Sequence, residues 1–133
     1  GKSVSLLGSV NAEHTWTAPA DAARLLVTAA AAERGWGRAW HVPSNPPRTQ
    51  RQVVDDLADT AGVPRVPVKS LPAGMVKLLG LFSPAIREMA ETSYQRDRPF
   101  VMDDSAARVT FGLAPTPWHD ILSQVIEAYR HVD

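Results

Sequence analysis

The sequence contains no cysteine, no excess of charge of either sign and no long apolar run among its 133 residues. The absence of cysteine excludes a disulfide framework, a thiolate metal site and a cysteine nucleophile. Fourteen lysine and arginine residues balance fourteen aspartate and glutamate residues, so the basic excess of nucleic-acid and acidic-membrane binders is missing. No apolar stretch approaches the roughly 20 residues that span a bilayer, and no signal peptide opens the sequence. We therefore expect a cytoplasmic protein that has neither nucleic acid nor a membrane as its partner.

The proportions of hydrophobic and charged residues, 44% and 21%, indicate a folded chain whose length suits one domain. Alternating segments bounded by turn residues predict short strands at residues 3–7, 39–42 and 66–70, with Pro67 restricting the last to a sheet edge or to a single extended segment. Apolar stripes at helical spacing predict helices that begin near Pro19, Thr49, Ser105 and Pro117, and two further helices at residues 72–82 and 83–95.

Two of these helices carry boundary signals in their own sequence. Thr49, with Gln52 three residues later, forms a capping box, and Gly62 is placed to end the same helix. Ser105 is expected to cap a short helix that ends at Gly112. These signals depend only on residues within a few positions of each other.

The predicted strands are too short and too few to form an independent sheet. Their alternation with helices suggests βαβ units, whose parallel strands need neighbours on both sides and helices on both faces. We therefore predict an α/β chain, rich in helix, in which residues 1–133 form one portion of a larger fold.

No complete catalytic or metal-binding motif is present in the sequence. The eight glycines are scattered, and the cluster at residues 35–37 follows a helix, so it is interpreted as a helix stop and not as a phosphate loop. The adjacent carboxylates of Asp103 and Asp104 point to opposite faces of an extended segment, and we interpret Asp104 as a helix cap. No metal-ligand spacing is found among the histidines, which are His14, His41, His119 and His131. We assign no catalytic, cofactor-binding or metal-binding residue.

Aromatic and arginine side chains near predicted loops are the remaining candidates for ligand contacts. Trp16, Trp36 and Trp40 flank loops and are placed to line a ligand cleft, although packing against the first helix explains them equally well. Arg98, close to Tyr94, suits recognition of an anion, and a solvated helix end is the alternative.

Four segments in a fixed order resemble the C-terminal part of the extended short-chain dehydrogenase/reductases, the NAD-dependent epimerase/dehydratase family. The first is VSLLG followed by HTWTAPADAARLL, with Asp21 at the aspartate of the family. The second is AWHVPSNPPRT, which leads to a helix opened by Thr49. The third is RPFVMDDSAARVTFGLAPTPW, and the fourth is the amphipathic helix from Pro117. Each motif is weak alone, but their order and spacing cover essentially the whole chain.

The resemblance implies a Rossmann-type enzyme of which this chain is the substrate-binding, helix-rich portion. Family members carry a glycine-rich NAD(P)-binding turn and a Tyr-x-x-x-Lys catalytic pair in an N-terminal Rossmann part. The scattered glycines of this sequence form no such turn. No lysine follows a tyrosine by four positions either, because Arg98 stands four positions after Tyr94 and Asp133 stands four positions after Tyr129. We therefore expect NAD or NADP in the intact enzyme, none bound to this chain alone, and the missing Rossmann part as a partner.

The resemblance also implies which residues contact a sugar-like or nucleotide-sugar substrate. Arg98 matches an arginine that contacts the nucleotide in sugar epimerases, whereas His14 and Thr15 replace a usual arginine and aspartate, and Val101 replaces a frequent acidic residue. With Trp16 and Tyr94, this gives four substrate-binding candidates, which are Arg98, His14, Trp16 and Tyr94. The loop around Asn45 is expected near the cofactor-facing edge, with no contact assigned to it.

The alternative function is a non-catalytic helical binding or protein-interaction module, with residues 75–82 as its partner surface.

Overall fold

The computed structural model of the protein describes residues 3–71 and 93–130, and this part is mixed helix and strand. The strands are β1 (Val4–Leu6), β2 (Glu13–His14), β3 (Arg48–Thr49) and β4 (Val68–Ser70). The helices are α1 (Pro19–Ala31), α2 (Gln50–Ala61), α3 (Ser93–Asp97), α4 (Ser105–Phe111) and α5 (Trp118–Arg130). This composition is compatible with the predicted α/β class, and within the described residues the strands form two-stranded sheets and no larger Rossmann sheet.

The chain divides into two compact units, each built from two separate stretches of sequence. Unit 1 contains Gly1–His14 and Arg48–Phe100, and unit 2 contains Thr15–Pro47 and Val101–Asp133. The chain therefore passes from one unit to the other three times, and neither unit corresponds to a continuous piece of sequence.

Unit 1 contains both pairs of strands. β1 and β4 are parallel, with Val4 opposite Val68, which is only 4% exposed. Pro67 stands just before β4, where a missing N–H costs no ladder bond, and its carbonyl accepts the N–H of Val4 at 2.9 Å. The predicted strands at 3–7 and 66–70 are thus confirmed, each two residues shorter than predicted. β2 and β3 are antiparallel, a pairing that the sequence did not predict.

The capping box predicted for α2 is present in full. The Thr49 side chain accepts the N–H of Gln52 at 3.1 Å, and the Gln52 side chain accepts the N–H of Thr49 at 2.8 Å. Gly62 ends the helix in the left-handed conformation, with φ of 68°. Both ends of α2 therefore follow from residues within the helix and its immediate flanks.

Gly8 allows close packing of two backbone segments in unit 1. Its φ is +81°, and an added Cβ would lie 2.5 Å from the Cβ of Arg96. The neighbouring Ser9 N–H donates to the carbonyl of Arg96 at 3.0 Å, which ties the segment after β1 to the last turn of α3. Only glycine meets both requirements without strain.

Unit 2 contains α1, α4 and α5 and no strand among its described residues. The strand predicted at residues 39–42 is therefore wrong. The side chains of this segment bind other parts of unit 2: the indole N–H of Trp40 donates to Gly35 O at 2.7 Å, and Nδ1 of His41 donates to Asp103 O at 2.8 Å. Trp40 also packs edge-to-face on Phe111, with ring centroids 4.8 Å apart.

The starts of α4 and α5 differ from the predictions by one residue. Ser105 is the first residue of α4 and not its cap, because Asp104 occupies the cap position. The Asp104 side chain does not cap the helix; instead it contacts Arg108 and Ser44. α5 begins at Trp118, one residue after the proline predicted as its first residue. Gly112 ends α4 in the left-handed conformation, as predicted.

Buried apolar side chains are few and small in the described part of the chain. They are Val10, Ala12, Leu25, Ala58, Val68, Ala107 and Leu122. On α1, Leu25 of the apolar stripe predicted for this helix is buried, but Leu26 of the same stripe is 70% exposed, and the neighbouring Val27 is 71% exposed. Of the helices that the structure describes, none has the length and apolar character needed to cross a bilayer. Three features named from the sequence lie outside the described residues. They are the helix predicted at 72–82, most of the helix predicted at 83–95, and His131.

Candidate functional site

A small cavity of about 210 Å³ lies within unit 2. Typical sites for drug-sized ligands measure roughly 300–1,000 Å³, so this one suits a smaller molecule. The lining residues come from three stretches of sequence and are Thr15, Ser44, Asn45, Pro46, Pro47, Val101, Met102, Asp104 and Arg108.

An ion pair on α4 forms the charged part of the cavity wall. Asp104 and Arg108 are four residues apart, and the guanidinium approaches the carboxylate through two atoms: Nε lies 2.8 Å from Oδ1, and Nη2 lies 2.9 Å from Oδ2. The same pair holds Ser44, because Nη2 donates to Ser44 O at 2.6 Å and Oδ2 accepts the Ser44 N–H at 2.6 Å. One carboxylate–guanidinium pair therefore fixes the start of the Ser44–Pro47 loop against α4.

The charges of this pair cancel. The hydrogen bond from Arg108 holds the pKa of Asp104 below its usual range, against the opposing effect of burial. The pKa of Arg108 is raised, chiefly by the hydrogen bond to Asp104. Both groups are thus ionised at neutral pH, and the lining residues carry one negative and one positive charge.

The uncharged polar groups of the cavity differ in which hydrogen-bond donors and acceptors they leave unused for a ligand. The buried Ser44 hydroxyl donates its proton to Val42 O at 2.9 Å and accepts from the Thr17 hydroxyl 2.8 Å away, so it has no donor left for a ligand. The Thr15 hydroxyl oxygen accepts the N–H of Met102 at 2.9 Å, so its own proton remains for donation. Asn45 donates through Nδ2 to Thr116 O at 2.8 Å, which leaves its Oδ1 as an acceptor.

A buried aspartate supports this arrangement from α1. Asp21 is only 4% exposed, and its carboxylate accepts the N–H of Thr116 at 2.8 Å and the Thr116 hydroxyl at 2.7 Å. Arg24 donates to the same carboxylate and to Ala114 O, so the segment before α5 is held to α1. Because Thr116 O is the acceptor for Asn45, Asp21 indirectly positions an amide that lines the cavity.

None of the four predicted substrate-binding residues lines this cavity. Trp16 is half-buried in unit 2, next to the lining residue Thr15. His14 and the exposed Arg98 belong to unit 1, where His14 forms a backbone bridge with Phe100. The Nε2 atom of His14 is buried and has no hydrogen-bond partner. Tyr94 belongs to α3, which is also in unit 1.

The other residues singled out in the sequence have packing roles in unit 2. Trp36 is 62% exposed and donates its indole N–H to Ala30 O at 3.0 Å, which fits packing against the first helix. Arg38 stacks over the Trp40 ring at 4.1 Å from its centroid. The pKa of Asp103 is lowered, chiefly because its carboxylate accepts a hydrogen bond from the Ser105 N–H.

Sequence reasoning missed the Asp104–Arg108 pair and the role of Ser44. The Asp-x-x-x-Arg spacing at 104 and 108 is the signal that was available, since residues four apart on a helix face each other. The neighbourhood of Asn45 was anticipated, but not its place in a cavity wall.

Gly8 is the described glycine that follows a strand, and its surroundings do not match those of a nicotinamide dinucleotide site. Such a site needs several glycines between a strand and a helix, with the pyrophosphate at the helix N-terminus. Gly8 follows β1, but the space next to it is filled by Arg96. The part of the chain that the structure describes also holds no group of three or more metal-ligating side chains.

Comparisons with protein-family models, with curated proteins and with solved structures found no match for this chain. Structure and site together describe a mixed helix and strand protein with a small, charge-balanced cavity.

Proposed function

We propose that this chain is the substrate-binding portion of an NAD(P)-dependent epimerase, dehydratase or reductase that acts on a sugar-like or nucleotide-sugar substrate. The observation that carries the proposal is the origin of the cavity walls. The lining residues come from three of the four segments whose sequences resemble this enzyme family: Thr15 from the first, the Ser44–Pro47 loop from the second and residues 101–108 from the third. Segments linked only by a sequence pattern thus line one cavity.

The buried aspartate supports the same proposal. Asp21 stands where the resemblance implies an aspartate, and its carboxylate joins α1 to the segment that holds Asn45. A residue placed there for helix capping alone would not need three hydrogen bonds from distant or charged donors. Its role in this chain is to position the wall of the cavity.

The sheet and the surface of α1 support an incomplete fold. β1 and β4 form a parallel pair, and parallel strands normally belong to larger sheets that are covered on both faces. Ala23, Leu26, Val27 and Ala30, at helical spacing, form an exposed apolar stripe on α1. A Rossmann part of the kind that the resemblance implies would supply both the missing strands and the missing cover.

In this proposal, the chain binds and orients the substrate, and no described residue takes a chemical step. Arg108 and Asp104 keep the Ser44–Pro47 loop in place, and Thr15 and Asn45 offer a donor and an acceptor to the substrate. Proton and hydride transfer are assigned to the Rossmann part.

The coding sequence upstream of Gly1 provides the first test. An in-frame glycine-rich turn followed by Tyr-x-x-x-Lys would support the proposal, and an in-frame stop codon followed by a start codon next to Gly1 would overturn it. The product of that whole reading frame should bind NADH or NADPH, which is detected by energy transfer from tryptophan to the nicotinamide.

Steady-state kinetics of the whole product then test the role of the cavity. Asn45→Ala should raise KM for the substrate about tenfold, the value of one lost hydrogen bond. Asn11→Ala is the matched control, since Asn11 is an exposed asparagine of unit 1. An unchanged KM in Asn45→Ala would remove the cavity from the proposed function.

A protein-interaction module is the second candidate, and the exposed stripe on α1 favours it. The side chains of Leu26 and Val27 are more than two-thirds exposed. Exposed apolar patches usually mark a surface that a partner covers. The sequence had suggested residues 75–82 as the partner surface, and these lie outside the described residues. A start codon next to Gly1, together with a stable complex that Leu26→Glu abolishes, would favour this candidate over the enzyme.

A further inference from the structure

We infer that the cavity of unit 2 binds an uncharged, hydroxyl-bearing molecule, such as a single sugar ring, and not the diphosphate of a nucleotide sugar. This inference rests on the proposed function for the assignment of the cavity as the substrate site. It narrows the substrate class of that site from two alternatives to one.

The charges in the cavity wall are balanced within the chain itself. Arg108 is the one cation among the described residues that line the cavity, and Asp104 accepts hydrogen bonds from two of its nitrogens. Recognition of phosphate normally uses arginine in the same two-pronged geometry, so the carboxylate of Asp104 already occupies the position that a phosphate would take. A diphosphate would have to displace a carboxylate of this chain from a mostly buried position.

The cavity wall offers a ligand both hydrogen-bond donors and an acceptor. Nε of Arg108 donates to Asp104, and Nη2 donates to Asp104 and Ser44 O, so the two N–H groups of Nη1 remain. The Thr15 hydroxyl adds one donor and Asn45 Oδ1 adds one acceptor. Neutral hydroxyl groups both donate and accept, and therefore match this mixed set, whereas a phosphate only accepts.

Part of the cavity wall is apolar. Pro46, Pro47, Val101 and Met102 line the cavity beside these polar groups. A sugar ring has C–H faces that are apolar and edges that carry hydroxyls, so it presents both surfaces at once. The volume of about 210 Å³ also suits one ring better than a nucleotide with its sugar.

The test is titration of the ¹⁵N-labelled chain, followed by NMR, with methyl α-glucoside, uridine diphosphate and inorganic pyrophosphate as separate probes. For a ligand of about 12 non-hydrogen atoms, ordinary ligand efficiency corresponds to a Kd of about 1 mM. We expect the glucoside to shift the signals of Thr15, Asn45 and Arg108 in a saturable manner, and the two anions to leave them unchanged. Asn45→Ala should weaken glucoside binding about tenfold, and Asn11→Ala should not.

Two charge variants make the expected exclusion of anions testable. Asp104→Asn releases the cation of Arg108, so this variant should gain pyrophosphate binding that weakens as salt rises. Because Asp104 also holds Ser44, a second variant leaves the ion pair intact: Val101→Lys adds a cation at a lining position that is 54% exposed. Val109→Lys, at an 86% exposed position that does not line the cavity, is its matched control and should gain no binding.

Each outcome decides one claim. Glucoside binding without anion binding supports the inference. Saturable binding of uridine diphosphate or pyrophosphate to these residues in the unaltered chain overturns the inference but leaves the proposed function intact. Failure of all three probes to shift cavity signals also overturns the inference, and the upstream coding sequence then decides the proposed function independently.

Discussion

Replacement of Asp21 by asparagine tests the central structural support of unit 2. The carboxylate is 4% exposed and accepts donors on both oxygens: the Thr116 hydroxyl and Arg24 on Oδ1, and the Thr116 N–H on Oδ2. An amide has the same shape but carries one oxygen and one NH₂ group. Whichever way it is oriented, one N–H group faces another donor.

The expected cost follows from these contacts. A hydrogen bond to a charged group contributes about 1.5–3 kcal/mol, and an unsatisfied buried donor costs about 1–3 kcal/mol. The Arg24 side chain is 46% exposed, so the loss of its ion pair adds at most about 1 kcal/mol. We therefore expect Asp21→Asn to lower the free energy of unfolding of unit 2 by about 2–4 kcal/mol.

Tryptophan fluorescence during urea unfolding is the suitable assay. The chain has four tryptophans, at positions 16, 36, 40 and 118, and all four belong to unit 2. Asp120→Asn is the matched control, because this aspartate is exposed in the first turn of α5 and contributes less than about 1 kcal/mol through the helix dipole.

Thr116→Val tests whether the partner is correctly identified. It removes the hydroxyl donor and keeps the backbone N–H, so it should cost about 1 kcal/mol. Combined with Asp21→Asn, its effect should be smaller than alone, because both changes remove the same hydrogen bond. Two results would refute this role of Asp21: a free energy of unfolding of Asp21→Asn within about 0.5 kcal/mol of that of the unaltered chain, or full additivity in the double variant.

Two further predictions concern the ion pair and the glycine packing. Because Arg108 lowers the folded-state pKa of Asp104, the stability difference between the unaltered chain and Asp104→Asn should be constant above about pH 5 and shrink as pH falls below about 4. Urea titrations at stepped pH measure this, and a difference that persists unchanged to pH 2 contradicts it. Gly8→Ala should destabilise unit 1 by more than Gly37→Ala destabilises unit 2, since both have positive φ but only Gly8 meets a neighbour, the Cβ of Arg96 at 2.5 Å. Hydrogen exchange compares the two units, and equal effects would show that the contact carries no cost.

Features set by neighbouring residues could be predicted from the sequence. The capping box of α2 depends on Thr49 and Gln52, three positions apart, and Gly62 and Gly112 end their helices through their own left-handed conformation. In each case, the physical cause lies within one turn of the helix. The existence of β1 and β4 was predicted for the same reason, since each is bounded by turn residues.

Features set by distant partners could not be predicted. The segment 39–42 alternates like a strand, but a strand exists only if a partner strand is present, and here His41 instead donates to Asp103, 62 residues away. The cap position of Asp104 was anticipated, but its carboxylate is directed to Ser44 over a separation of 60 residues. Periodicity contains no information about such pairs.

The cavity is the extreme case of this limit. Its residues come from positions 15, 44–47 and 101–108, and none of them belongs to a motif whose chemistry is evident in isolation. The four candidates drawn from the sequence, among them His14 and Arg98, stay predictions, because they lie outside this cavity and await a ligand experiment.

The hydrogen bonds between Asp21 and Thr116 also constrain the order of events during protein synthesis. The two residues are 95 positions apart in the chain. On the ribosome, α1 is complete long before residue 116 leaves the exit tunnel, and until then the carboxylate has only Arg24 as a partner. Unit 2 therefore cannot close while the chain is still growing through residue 115. The hydrogen bonds of Asp21 to Thr116 form only after that segment has been translated, and their formation closes a long loop of chain.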